Sequence, residues 1–231
     1  MSGVLYIVPT PIGNLEDITL RAVSALKNCD VIACEDTRHT LKLLSHLSIS
    51  KPLISFYSYN QNARIPGIIN SLVNGKNIAL VSDSGTPGIS DPGYLLVKEA
   101  ITNGINVVPL PGATAITTAL VGSGAPTDGF IFLGFLKRKT GKMKKELQEA
   151  SGLGKTIIFY ESPHRILKTL ATLEDVFGAD TQICLAREMT KKFEEFIRGS
   201  IVEVLKALSE REKVLGEFVV VVSPAVSAQT D

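Results

Sequence analysis

Short β-rich runs alternate with helical patterns from the first residues onward, and this alternation limits the fold more than any other feature of the chain. Residues 4–8, 31–34, 53–57, 78–81 and 107–110 each read as a strand bounded by turn residues. Between them apolar residues recur at helical spacing. Leu20, Val23, Ala25 and Leu26 mark a helix over 18–27 that Asp17 would cap, Leu41, Leu43, Leu44 and Leu47 a second, and residues 65–73 a third. A fourth opens at Asp91-Pro92, where aspartate accepts from orphan N–H groups and proline has none to waste, and ends near Asn103-Gly104. Such alternation predicts parallel βαβ units with helices on both faces of a sheet.

The second half reads differently. Gly122-Ser-Gly-Ala-Pro126 is a small-residue break, and the expected boundary lies just before or within it, giving an N-terminal α/β domain over 1–117 and a C-terminal one over 118–231. Strands are expected at 130–135, 155–160, 183–186 and 218–222, with alternation at 193–198. Ile166, Leu167, Leu170, Leu173, Val176 and Phe177 recur at helical spacing, and 201–208 is a further helix. Six of the nine residues 137–145 are basic. No internal repeat is visible.

Composition removes several classes. With 45% apolar and 20% charged residues the chain is not disordered. The apolar run 218–222 falls far short of the ~20 residues a membrane span needs. Met1-Ser-Gly-Val-Leu-Tyr6 lacks a basic flank ahead of an apolar core, so no secretory signal is expected. Three cysteines, Cys29, Cys34 and Cys184, suit a reducing cytosol, and the expected location is cytoplasmic. Lys plus Arg number 24 against 23 Asp plus Glu, so a general polyanion binder is not indicated, although a local patch is.

Three loops after strand ends are rich in glycine, proline and small hydroxyls: Pro9-Thr-Pro-Ile-Gly13, the long stretch 82–93, and residues 109–115. In open α/β sheets ligands bind outside the carboxyl ends of strands, which predicts that the three serve one crevice. No G-x-G-x-x-G follows the first strand, which disfavours a dinucleotide site. Gly154-Lys155-Thr156 resembles the tail of a P-loop, but the first glycine would fall at Glu149 and the triplet precedes a strand. No G-x-S-x-G elbow is present, and His39, His46 and His164 are scattered, so no metal is expected. Three polar clusters also follow strands: Glu35-Asp-Thr-Arg38, Glu161-Ser-Pro-His-Arg165 and Arg187-Glu-Met-Thr-Lys-Lys192. Each suits helix capping; three at equivalent positions suggest a polar site.

Together these loops and clusters resemble the tetrapyrrole-methylase superfamily. The residues that carry the resemblance are Pro9-Thr-Pro-Ile-Gly-Asn-Leu-Glu-Asp17, Cys34-Glu-Asp-Thr-Arg38, the stretch 81–93, Pro111-Gly-Ala-Thr-Ala115, Phe132-Leu-Gly-Phe135, Tyr160-Glu-Ser-Pro-His-Arg165, Arg187-Glu-Met-Thr-Lys191 and Gly216-Glu-Phe-Val219. Nearly the whole chain is spanned. The branch most resembled is the one that 2′-O-methylates a cytidine of small-subunit (16S) ribosomal RNA.

The resemblance implies two α/β domains with S-adenosylmethionine bound in the cleft between them. By position in the motifs, the implied donor contacts are Ile12, Asp83, Thr86, Thr114 and Ala115 in the first domain, and Tyr160, Met189 and Glu217 in the second. A ribose hydroxyl is a poor nucleophile at neutral pH, so proton removal is expected, with Glu35, Asp36, Glu161 and Glu188 all open as the group that receives or orients it. Arg38, Arg165 and Arg187 are candidate phosphate or ribose anchors, and Lys137, Arg138, Lys139, Lys142, Lys144 and Lys145 a candidate RNA grip, with Lys191, Lys192 and Arg198 as further cations. The implied partners are ribosomal RNA, within the assembled small subunit, and a second copy of the chain. Two alternatives stay open: methylation of a corrin-pathway tetrapyrrole or a translation factor, and a noncatalytic RNA-binding module. The basic segment argues against the first, because a tetrapyrrole does not require it.

Overall fold

The computed structural model describes residues 2–224. The chain divides into two compact units between Thr114 and Ala115.

The first unit runs β1 (Val4–Ile7), α1 (Leu20–Asn28), β2 (Val31–Cys34), α2 (Thr37–His46), β3 (Leu53–Ser55), α3 (Gln61–Val73), β4 (Ile78–Val81), α4 (Tyr94–Thr102) and β5 (Asn106–Pro109). All five strands are parallel, in the order β3-β2-β4-β1-β5. Ala22, Ala25 and Leu26 of α1 and Leu44 of α2 pack with Val8, Ile32, Ala79 and Val81 on one face. Ile68 and Leu72 of α3 and Leu96 and Ala100 of α4 pack with Leu5, Ile7, Ile78 and Leu80 on the other. The connections leaving β1 and β2 thus lie on one face and those leaving β3 and β4 on the opposite one. β4 sits between β2 and β1, so the strand order reverses there, the point at whose carboxyl ends open α/β sheets bind ligands.

Two helix starts differ from the sequence expectation. Asp17 closes a short 3-10 turn (Leu15–Asp17), and Thr19 caps α1 by accepting from the Ala22 N–H at 3.0 Å. Asp91-Pro92 does not open α4. The N-cap is Gly93, at φ +157°, where an added Cβ would lie 3.2 Å from the Gly88 backbone and the Leu80 side chain. The Asp91 carboxyl is engaged with the Ser82 hydroxyl instead.

The second unit runs α5 (Ala115–Ser123), β6 (Phe130–Phe135), α6 (Thr140–Ser151), β7 (Thr156–Glu161), α7 (Ile166–Phe177), β8 (Gln182–Arg187), β9 (Glu195–Ser200), α8 (Ile201–Ser209) and β10 (Phe218–Val222). Its sheet order is β6-β7-β10-β8-β9; β6 and β7 are parallel, and β10 is antiparallel to both neighbours. Met143, Leu147, Leu170, Leu173, Val204 and Leu208 of α6, α7 and α8 cover one face over Phe159, Leu185 and Val220. The opposite face carries α5, which packs on β10, β8, β7 and β9. That packing puts all of α5 in the second unit, so the division falls slightly ahead of the expected residue 117. Gly122 closes the packing: a Cβ there would lie 2.6 Å from the Phe196 ring. Arg198, a candidate RNA cation, is committed to the same contact, because its guanidinium donates to the Gly122 carbonyl and lies 5.0 Å from the Phe196 ring.

Candidate functional site

In the first unit, hydrogen bonds tie the three small-residue loops together at the reversal of strand order. Thr10 and Gly85 exchange backbone hydrogen bonds of 2.9 and 3.0 Å across β1 and β4. The buried Thr10 hydroxyl donates to the Ser82 carbonyl at 3.1 Å, and Thr86 Oγ1 donates to the Ala113 carbonyl at 3.2 Å. Backbone approach is close: a Cβ on Gly112 would meet Pro9 Cβ at 2.6 Å, and Gly85, at φ +80°, lies against Ile12 and Ala113. Ile12, Asp83, Thr86 and Thr114 are all partly buried here; Ala115, also partly buried, is the first residue of α5 in the second unit. None of the loop segments 9–13, 82–93 and 111–115 carries lysine or arginine.

Beside them lies a group of acids. Asp83 Oδ1 accepts the Asp36 N–H at 3.1 Å, joining the end of β4 to the end of β2. Burial pushes the Glu35 carboxyl up, and the charges of Asp91, Asp83 and Asp36 add to the rise. Burial likewise raises Asp91, despite its bond to Ser82. Asp36 behaves oppositely. The Arg38 side chain and backbone N–H hold it at about 2, with Nη2 2.8 Å from Oδ2, while it caps α2. Of the candidate bases, burial thus raises Glu35 while Asp36 is held low.

In the second unit the candidates gather at one end of the mixed sheet, because antiparallel β10 begins where β7 and β8 end. Val219 faces Tyr160, while Phe218 faces Glu161 on one side and Arg187 on the other. Tyr160 packs edge-on against Phe132 (centroids 5.0 Å) and tilted against Phe135 (5.4 Å). The register of β6 shifts between those two phenylalanines, with Gly134 at φ +65°. Such bulges re-aim side chains beside functional sites.

Glu188 and Thr190 both adopt the left-handed backbone conformation, at φ +48° and +63°. The strain is held by a lock. Glu188 Oε1 accepts the Glu217 N–H at 2.9 Å and Lys191 Nζ at 3.1 Å, and Lys191 also reaches Glu217 Oε2 at 2.7 Å. Burial alone would raise the Glu188 carboxyl, but the Glu217 N–H and Lys191 outweigh it and hold it low. Met189 is buried inside this loop. The structure thus gives Glu188, Lys191 and Glu217 a shared architectural job that spacing alone did not reveal.

Several candidate side chains are already engaged. Glu161 is enclosed: Oε1 accepts the Ser162 N–H and Oε2 the Thr169 hydroxyl, both at 2.7 Å, and Arg165 lies 3.4 Å away. Arg165 also donates to the Leu136 carbonyl at 3.1 Å and Lys137 at 3.4 Å, bracing the start of the basic segment. Arg187 donates to the Leu215 carbonyl and pairs with Glu195 at 3.5 Å. Lys144 pairs with Asp175 at 2.8 Å, and Lys145 lies 3.8 Å from Glu149. Lys137, Arg138, Lys139, Lys142 and Lys145 are exposed, as is Arg38. Among the described residues no group of three His, Cys, Asp or Glu could hold a metal ion, and no helix is long and apolar enough to cross a membrane.

The family model for tetrapyrrole (corrin/porphyrin) methylases matches residues 4–205. The chain belongs to that family. Among its relatives is the ribosomal RNA small subunit methyltransferase I of Bacillus subtilis, 49% identical over 229 residues, covering 99% of this chain and 78% of the relative. The protein of that name from Halalkalibacterium halodurans is 47% identical over 220 residues, covering 95% and 75%. Among solved structures, the uroporphyrin-III C-methyl transferase of Thermus thermophilus complexed with S-adenyl homocysteine shares the methylase fold. It has a TM-score of 0.65 at 16% identity, over 96% of this chain and 97% of that one.

Proposed function

We propose that the chain transfers a methyl group from S-adenosylmethionine to the 2′-oxygen of a cytidine in small-subunit ribosomal RNA. The observation that carries this reading is the 49% identity, over 99% of the chain, with a ribosomal RNA small subunit methyltransferase. A donor with a sulfonium, an amino-acid end and an adenosine wants backbone polar groups, and acids in place of cations near its positive charge. Loops 9–13, 82–93 and 111–115 suit it: they bring main chain close, carry no lysine or arginine, and stand beside Asp83. The proposed donor contacts are Ile12, Asp83, Thr86 and Thr114 in the first unit and Ala115, Tyr160, Met189 and Glu217 in the second. Bound there, the donor supplies an electrophilic methyl.

The chain's own task is then alignment and proton removal. Glu35 is the base we favour: burial raises its proton affinity, and, unlike Asp91, it is not bonded to Ser82. Asp36 is a helix cap held at about 2, Glu161 is enclosed, and Glu188 is locked. The exposed cations Lys137, Arg138, Lys139, Lys142 and Lys145 would grip RNA phosphates, and the reading includes an assembled small subunit as acceptor, a homodimer and a cytoplasmic location.

Labelled donor incubated with the purified chain and small subunits from cells lacking the modification tests the reading. Label should appear in the RNA, and nucleoside analysis should place it on a cytidine ribose. Label on a tetrapyrrole or a translation factor and never on RNA overturns the substrate; RNA binding without any heat on donor addition leaves a noncatalytic module.

A further inference from the structure

The end of β3 carries an aromatic pair that no feature described above uses. Tyr57 is 39% exposed and Tyr59 is 96% exposed, with ring centroids 6.4 Å apart at 63°. A single exposed tyrosine is ordinary, but here two rings meet edge to face on a hydrogen-bonded turn. Phe56, fully buried, anchors the segment below. Asn60 Oδ1 accepts the Tyr57 N–H at 2.8 Å, its Nδ2 donates to the Ser55 carbonyl at 3.1 Å, and Asn60 and Gln61 N–H both return to the Tyr57 carbonyl at 3.0 Å. The segment 56–60 carries no charge that would repel phosphate.

Position gives the pair its meaning. β3 is the edge strand, beside β2 and two places from β4, and all three are parallel, so their carboxyl ends share one side of the sheet. Two strand spacings separate β3 from β4, about 10 Å, so the turn that carries the tyrosines and the long loop after β4 leave the same side of the sheet. The intervening strand, β2, ends at Cys34, is followed by Glu35 and leads to Arg38 at the start of α2, a cation whose side chain is 87% exposed. Exposed aromatics combined with cations are how proteins hold an unstacked base, because every base offers a π-face whatever its sequence.

We infer that Tyr57 and Tyr59 form a stacking platform for a nucleobase of the RNA acceptor. The inference rests on the ribosomal RNA reading, and it places the stacked base on the Glu35 side of the donor loops.

The chain contains no tryptophan, so Tyr59→Trp introduces a single indole reporter at the platform. Its emission should be quenched saturably by a single-stranded cytidine-containing oligoribonucleotide and left unchanged by an abasic strand of equal length. Equal quenching by both strands overturns stacking in favour of phosphate attraction. A change on raising protein concentration without RNA overturns it in favour of contact between copies. In methyl transfer to small subunits, the double variant Tyr57→Ala/Tyr59→Ala should raise KM about tenfold or more, with donor affinity and Tm unmoved, and Tyr59→Phe in place of the alanine should recover most of that effect. Unaltered KM in the double variant, with the parent chain active, overturns the platform alone. A parent chain that transfers nothing to RNA overturns the functional reading and the platform with it.

Discussion

Asp83 does two things that a substitution can separate. Its carboxylate places an acid beside the loops proposed to hold the donor, and its Oδ1 fixes the turn after β2 through the Asp36 N–H. Asp83→Asn keeps an acceptor at that position and removes the charge, so donor affinity should fall while Tm holds. Asp83→Ala should lower affinity and, in addition, remove about 1 kcal/mol of stability for the missing hydrogen bond. Calorimetric titration with donor and thermal unfolding check both; unchanged donor affinity in either variant removes Asp83 from the site. Glu35 makes a prediction of opposite sign to that of most carboxylates. Burial raises its folded pKa above the unfolded value, so the charged form disfavours the fold. Glu35→Gln should therefore raise Tm at neutral pH. The advantage should shrink as pH falls through the raised folded value and vanish below the ordinary carboxylate range, while methyl transfer drops. An advantage that persists unchanged at acid pH would mean the gain is packing and not charge. The motif residues at 34–38 and 81–93 were legible in the sequence because they follow apolar runs directly. The division of labour among the acids was not, since burial, capping and the Lys191 lock are set by neighbours distant along the chain.

At the scale of elements, the basic segment is split by its own packing. α6 buries Met143, Leu147 and Ala150, and Lys144 turns toward Asp175 of α7. Lys137, Arg138 and Lys139 precede the helix as exposed cations, and Arg165 fixes the backbone where they begin. Replacing all three with alanine should weaken RNA binding and reduce the slope of log affinity against log salt by about 0.7–0.9 for each phosphate no longer neutralised. Donor affinity should not move. RNA affinity and slope equal to those of the parent chain would assign the grip elsewhere. The first sheet was readable strand by strand, because parallel strands covered on both faces are apolar throughout, as all four residues of β4 are. Helix starts were less so. Pro66 lies inside α3, which begins four residues before the expected 65, at Gln61. α4 waits for Gly93 because the acid ahead of it bonds within its own loop. The antiparallel placement of β10 had no local signal at all, since its partners lie some sixty residues and thirty-five residues back, as in the pairs Val220 with Phe159 and with Leu185.

For the whole molecule, the proposed pairing of two copies is the property to weigh. Sedimentation should give a mass near twice the 24.8 kDa of one chain, and a concentration-independent mass of a single chain would overturn it. The position of β10 has a further consequence, for synthesis. Every strand of the first sheet lies within residues 4–109, so that sheet can close while the rest of the chain is still being made. The second cannot. Its middle strand, Phe218–Val222, is the last among the described residues, and until it emerges β7 and β8 have no partner between them. Two apolar strand edges then stand open on the nascent chain, able to pair with each other or with a neighbouring polysome product. Ribosome stalling or truncation ahead of Phe218 should yield a folded first unit tethered to an aggregation-prone second one, so the interval before Phe218 emerges is when this chain is most open to misassembly.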